Sequence, residues 1–180
     1  MRIACLGDRH LDEIELRTCE LVGKQLALKG HEIIAGNSRG AEQAFARGFC
    51  TVNPESCTII LPWLSFEGDA YIPGTNRIIF NPKLHKSWEL VYEKFRPDYK
   101  QLTPALQKVF SRYVGILNMS DFVVMWSMVK DPAKQYEDSL FIVEKMAHAL
   151  NKPVIDLRNK IARQAFFDKI GLTLNKTDNP

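Results

Sequence analysis

The sequence predicts an α/β domain: a mainly parallel sheet of about five strands with helices on both faces. Short apolar, β-branched runs alternate with longer stretches of helical hydrophobic spacing, and glycine or proline punctuates the junctions. That alternation is the pattern of a parallel sheet covered on both sides. The chain has 180 residues, 46% hydrophobic and 25% charged, which suits one domain with a real core. The domain is expected over residues 1–172, with 173–180 a frayed tail.

Residues 2–7 form an apolar run ending on Gly7 and read as a buried strand. Residues 11–29 carry Ile14, Leu16, Leu21, Leu26 and Leu28 at mostly helical spacing before Gly30 stops the helix. The same grammar predicts a strand at 31–35, a helix at 40–49 and a strand at 57–61 closed by Pro62. Residues 62–82 hold Gly68, Pro73, Gly74 and Asn76 with weak periodicity, giving a long loop around a short strand at 77–80.

A short helix is expected at 86–95, interrupted by Pro97. Thr103 and Pro104 make an N-cap and a first helical position for a helix running to about 118. A strand at 121–126, a helix at 137–150, a strand at 153–157 and a helix at 159–170 complete the pattern.

Composition excludes several classes. No segment approaches the roughly 20 apolar residues of a membrane span, and the N-terminal apolar run is too short for a signal peptide, so a cytoplasmic protein with no membrane partner is expected. Cys5, Cys19, Cys50 and Cys57 lack CxxC spacing and disulfide-scaffold density, which fits a reducing compartment. His10, His31, His85 and His148 lie far apart, so neither a metal nor another cofactor is expected. The 24 basic and 21 acidic residues balance too evenly to indicate nucleic acid binding by themselves, and Arg158, Lys160 and Arg163 read as a solvated helix face.

The most informative stretch runs from Gly36 through Asn37, Ser38, Arg39, Gly40 and Ala41 to Glu42, where a strand enters a glycine-bounded turn that opens a helix. Glycines there allow successive N–H groups to point inward as an anion nest at the positive helix end, and Arg39 adds a planar charged fork. Gly7, Asp8 and Arg9 occupy the end of the first strand, where parallel sheets bind ligands. Arg9 has two readings, reaching the same anion or pairing with Asp12 or Glu13. Glu42 is read either as a ribose or base acceptor or as a charge stabilising its own helix. Glu42, Glu67, Asp69 and Glu137 are the carboxylates available to assist N-glycosidic cleavage. Trp63, Phe66 and Tyr71 offer aromatic faces for a nucleobase or for loop packing, and Trp126 reads as core at the sheet end or as a residue bordering the pocket.

These pieces in this order resemble the SLOG superfamily of Rossmann-like domains, which includes the DNA-processing protein A domain and the Lonely Guy phosphoribohydrolases. The resemblance spans roughly residues 2–157. It rests on Gly7-Asp8-Arg9, on the turn from Gly36 to Glu42, and on Pro62-Trp63. It also rests on Arg112-Tyr113 ahead of Ser120-Asp121-Phe122, and on Asp138-Ser139-Leu140. It implies a single Rossmann-like fold and adds Arg112 and Ser139 to the ligand contacts. Tyr113 stands where the family has asparagine and Asp138 where it has glycine, setting an acidic residue against an anion. The Pro-Gly-Gly-x-Gly-Thr-x-x-Glu motif of the phosphoribohydrolases is absent, so their hydrolysis is not implied. The DNA-processing proteins carry flanking domains for which 180 residues leave no room, so DNA loading is not implied either.

The leading expectation is a domain that binds a nucleotide or nucleotide-derived small molecule through the Gly36–Gly40 turn. A nucleosidase or nucleoside-phosphate hydrolase using Glu42, Glu137 or a loop carboxylate is the first alternative. A DNA-processing accessory protein that binds single-stranded DNA is the second. A homodimer through Val109, Phe110, Val114, Ile116 and Leu117 is expected if those residues are not core.

Overall fold

In the computed structural model, which describes residues 1–68, 72–81, 94–127 and 139–174, the six strands form one all-parallel sheet. They are β1 (Arg2–Gly7), β2 (Glu32–Ala35), β3 (Cys57–Leu61), β4 (Asn76–Ile79), β5 (Phe122–Trp126) and β6 (Val154–Asp156). The five helices described are α1 (Glu13–Leu28), α2 (Ala41–Cys50), α3 (Pro104–Met119), α4 (Ser139–Ala149) and α5 (Lys160–Ile170). The expectation of about five strands is corrected to six, because the short run after the long loop pairs along β3 from Thr58↔Asn76 to Leu61↔Ile79. The helix expected at 86–95 lies mostly outside the described residues.

Strand order is β4-β3-β2-β1-β5-β6. The chain winds from β1 to one edge and then returns to the far side of β1, so order reverses between β1 and β5. Ala4 pairs with Ile34 of β2 on one side and with Val123 of β5 on the other.

Alternate residues of β1 serve opposite cores, as the two-residue period of a strand requires. Ile3 and Cys5 join Val22, Leu26, Phe45, Phe49 and Phe166 under α1, α2 and α5. Ala4 and Leu6 join Phe110, Val114, Leu117, Val143 and Met146 under α3 and α4. Phe110, Val114, Ile116 and Leu117 are therefore core residues, and a pairing face built from them is not available. Trp126 is buried and donates from Nε1 to Glu15 Oε1 at 3.2 Å. Arg163 is buried as well, donating to the Leu157 carbonyl at 3.4 Å with its guanidinium over the Trp126 ring, so it is not part of a solvated face.

Helix ends follow local chemistry. Asp12 and Glu15 form a reciprocal capping box at the start of α1, with Glu15 N to Asp12 Oδ1 at 2.8 Å and Asp12 N to Glu15 Oε2 at 3.0 Å. Thr103 caps α3 ahead of Pro104, and Asn159 caps α5. Gly40 precedes α2 and supplies no side-chain cap. Among the described residues no helix is long and apolar enough to cross a membrane.

Candidate ligand-binding site

The turn after β2 is held in a conformation that its residues suit. Asn37 (φ 65°) and Gly40 (φ 86°) both lie at positive φ, a region asparagine tolerates and glycine enters freely. Asn37 Nδ2 donates to the Phe66 carbonyl at 3.1 Å, and the Asn37 carbonyl accepts from Gln43 Nε2 at 3.1 Å. Ala41 N donates to the Asp8 carbonyl at 3.0 Å, and a Cβ on Gly40 would stand 2.3 Å from that same oxygen. The backbone just past β1 therefore touches the backbone at the start of α2.

Inside the turn sits an anion supplied by the protein. Glu42 Oε2 accepts from Ser38 N at 2.8 Å and from Arg112 Nη2 at 3.2 Å, and Glu42 Oε1 accepts from the Tyr113 hydroxyl at 3.3 Å. Arg112 Nη2 also donates to Ser38 Oγ at 2.5 Å, and its Nε and Nη1 to the carbonyls of Gly36 and Val109. The guanidinium packs against the rings of Phe66 and Tyr113. Glu42 and Arg112 are fully buried. The carboxylate proposed from sequence as an acceptor, and the arginine carried over from the family resemblance, thus face each other in the interior rather than solvent.

Arg9 and Arg39 meet on a different carboxylate. Arg39 Nε lies 2.9 Å from Glu67 Oε2, and Arg9 Nη2 pairs with Glu67 Oε1. Arg9 thus pairs with a distant carboxylate, while Asp12, one of the two neighbouring acids considered for it, caps α1. Glu67 has a side chain only 10% exposed, whereas that of Arg39 is 73% exposed and that of Arg9 51%. The loop bearing Glu67 is anchored by Phe66, which packs edge-to-face on Trp63 with ring centroids 5.2 Å apart. Phe66 is thereby committed to packing. Tyr71 and Asp69 lie outside the described residues.

Above the end of β1 a cleft of about 360 Å³ opens. Gly7, Asp8, Arg9, His10 and Ser38, from the turns after β1 and β2, line it together with Leu106, Val109, Phe110 and Tyr113 of α3 and Leu140 of α4. Asp8 organises its own turn, its Oδ1 accepting from His10 N at 3.1 Å. The four α3 residues recur at i, i+3, i+4 and i+7, a helical stripe of which only Val109 and Phe110 are read from the sequence as core or dimer residues. Ser139 begins α4, while Glu137 and Asp138 lie outside the described residues. A larger groove of about 470 Å³, lined by Arg17, Glu20, Lys24 and Arg47 among others, runs between α1 and α2 on the outer surface. Its position near the C-terminal end of α2 puts it away from the strand ends, where the chemistry of this fold class resides. Among the described residues no group of three or more His, Cys, Asp or Glu is placed to hold a metal ion.

One solved structure matches over 92% of this chain and 73% of its own, with 15% identity and a TM-score of 0.55. The chain has a fold similar to that of DNA processing protein A. The matched structure, from Helicobacter pylori, was described for that protein's single-stranded DNA binding mode. The Rossmann-like fold implied by the sequence resemblance is thus shared with DNA processing protein A. No protein-family model matches the chain, and no curated protein matches it in sequence.

Proposed function

We propose that this protein binds a nucleotide or nucleotide-derived small molecule in the cleft above β1. One observation carries the reading: the cleft opens where strand order reverses, lined both by apolar residues of α3 and by a polar set that includes Arg9. Parallel sheets bind ligands at that position, and about 360 Å³ falls at the lower end of small-molecule pockets. The rim suits phosphate through Arg9, and Arg39, outside the cleft's lining, is joined to Arg9 through Glu67. The wall of Leu106, Val109, Phe110 and Tyr113 suits the face of a base. Glu42 and Arg112 hold the turn that shapes the rim, and Glu42 fills the place where a simple anion nest would take a ligand's charge.

Single-stranded DNA is the second reading, favoured by the fold likeness to a protein described as binding it. The two separate by salt. Affinity for a single strand falls with a log–log slope of about −0.7 per phosphate contact, whereas a mononucleotide gives a shallow slope with no dependence on oligonucleotide length.

The test is thermal-shift screening of the wild type and Arg39→Ala against nucleotides, cyclic dinucleotides and ADP-ribose derivatives, each mixture being assayed afterwards for free base. A ligand that raises the wild-type midpoint more than the variant's and stays intact supports the binding reading. Released base moves the function to N-glycosidic hydrolysis. No shift with any small ligand overturns the reading and favours DNA.

A further inference from the structure

Cys50 closes α2 and Cys57 opens β3, with residues 51–56 between them. That connection is folded tightly. Val52 N and Asn53 N both donate to the Phe49 carbonyl, at 3.0 and 3.1 Å, and Asn53 Oδ1 accepts from Ser56 N at 3.3 Å across the short turn Pro54–Ser56. The helix end is thereby returned onto the strand start, and the two cysteines meet there, the Cys57 thiol donating a hydrogen bond to the Cys50 sulfur. Cys57 is fully buried in the core beneath α1 and α2, while Cys50 packs against the same core from its edge and is partly open to solvent. Cys5 and Cys19 lie in that core as well, both fully buried. We propose that Cys50 and Cys57 form a site of reversible oxidation, in which Cys50 takes an oxygen from a peroxide and Cys57 closes an intramolecular disulfide.

Exposure and the hydrogen bond assign the two roles. Of the four cysteines only Cys50 has surface in solvent, so an oxidant meets it first. The reacting species is a thiolate, which the dipole at the C-terminal end of a helix opposes. The hydrogen bond from Cys57 favours that charged form and, against the effect of burial, holds the Cys50 thiol below its usual range. The same hydrogen bond, then burial, pushes the Cys57 thiol up, so Cys57 keeps its proton until the second step. In the first step the Cys50 sulfur attacks one oxygen of hydrogen peroxide and the O–O bond breaks. The departing hydroxide takes up the proton that Cys50 gave to solvent and leaves as water, with Cys50 now a sulfenic acid. In the second step the Cys57 sulfur attacks the Cys50 sulfur, the S–O bond breaks, and the Cys57 proton leaves with that hydroxide as a second water. Two thiols lose two electrons and one peroxide gains them. The sulfurs close from contact to about 2.0 Å, and an added thiol reopens the bond by exchange. Cys57 begins its strand, so the pair stands at the end of the parallel sheet opposite the cleft, and the proposal is independent of the nucleotide-binding reading.

The test treats the reduced wild type with a modest excess of hydrogen peroxide, alkylates the remaining thiols under denaturing conditions and maps the peptides. Trypsin releases residues 48–77 with both cysteines, and cleavage after Glu55 then puts Cys50 and Cys57 on separate pieces that only a bond between them can hold together. The expected product is that joined pair, two hydrogens lighter than its reduced pieces and separated again by dithiothreitol, with Cys5 and Cys19 fully alkylated. In Cys57→Ala, dimedone should trap a sulfenic acid on Cys50, formed more slowly than in the wild type for want of the hydrogen bond. In Cys50→Ser the three thiols that remain should all survive. The wild-type map stands without the variants, so instability of Cys57→Ala leaves the test intact. A bond from Cys50 to a second chain, or one that takes in Cys5 or Cys19, overturns the pairing. Sulfinic acid on Cys50 of the wild type without a disulfide overturns the role of Cys57. Four alkylatable thiols after treatment, while glutathione in the same mixture is oxidised, overturn the proposal outright.

Discussion

The Arg112 guanidinium and the Glu42 carboxylate meet at 3.2 Å with neither side chain exposed to solvent. Removing one member strands the other in the interior. Breaking a buried pair typically costs about 3–5 kcal/mol, so Arg112→Met should destabilise the protein by an amount in that range. The double variant with Glu42→Gln should recover part of the loss, because it leaves no uncompensated charge. Urea unfolding measures both; a loss of less than about 1 kcal/mol for Arg112→Met would mean that water or a rearranged partner reaches Glu42.

Two glycines at positive φ separate conformational strain from steric contact. A Cβ on Gly30 (φ 71°) would meet nothing within 4 Å, whereas one on Gly40 would stand 2.3 Å from the Asp8 carbonyl oxygen. Gly30→Ala should therefore cost about 1 kcal/mol from backbone strain alone. Gly40→Ala should cost about 3 kcal/mol, because the start of α2 must also move away from the Asp8–Arg9 backbone. Equal losses in chemical denaturation would contradict the close approach.

Arg39 sits on the surface with its charge shared by Glu67, so it should matter to ligand more than to fold. Arg39→Ala is expected to change stability by less than about 1 kcal/mol. Nucleotide affinity should fall about tenfold, the scale of one charge-assisted contact. Parallel melting and titration of the same preparation give both numbers, and a large stability loss would recast Arg39 as structural.

His31 provides a pH dependence with a definite sign. Burial, then repulsion from the N-terminal amine, Lys169 and Lys29, holds its pKa below the usual 6.5. The folded state thus takes up this proton less readily than the unfolded chain. The associated stability is fully present above the unfolded pKa and is lost as pH falls through the folded one. His31→Gln should flatten that part of the melting-temperature profile between about pH 7.5 and 5. An unchanged profile would place the acid sensitivity elsewhere.

Much of the fold was legible because each element is written locally. The apolar run of β1, the Thr103-Pro104 start of α3 and the glycine-bounded turn after β2 depend only on neighbouring residues. The short strand β4 was legible as well, yet its membership of the sheet was not, since its residues are largely exposed and only pairing with β3 identifies it. The site was less legible for a related reason. Glu42 and Arg112 are 70 positions apart, and Arg9 and Glu67 are 58 apart, so both pairings exist only once the sheet has assembled. A sequence shows that an arginine follows a strand. Which carboxylate waits for it depends on where a distant loop comes to rest.

The place of β1 in the sheet has a consequence for the chain as it is synthesised. β1 emerges first and can pair at once with β2, but its other neighbour, β5, follows more than a hundred residues later, with Ile3 opposite Phe122. Until then the growing polypeptide carries an unpaired apolar edge, a template for pairing with other chains. α3, which forms the cleft's apolar wall, also arrives only shortly before β5. The cleft is thus a late product of folding, so ligand would stabilise the finished domain and not its nascent precursors.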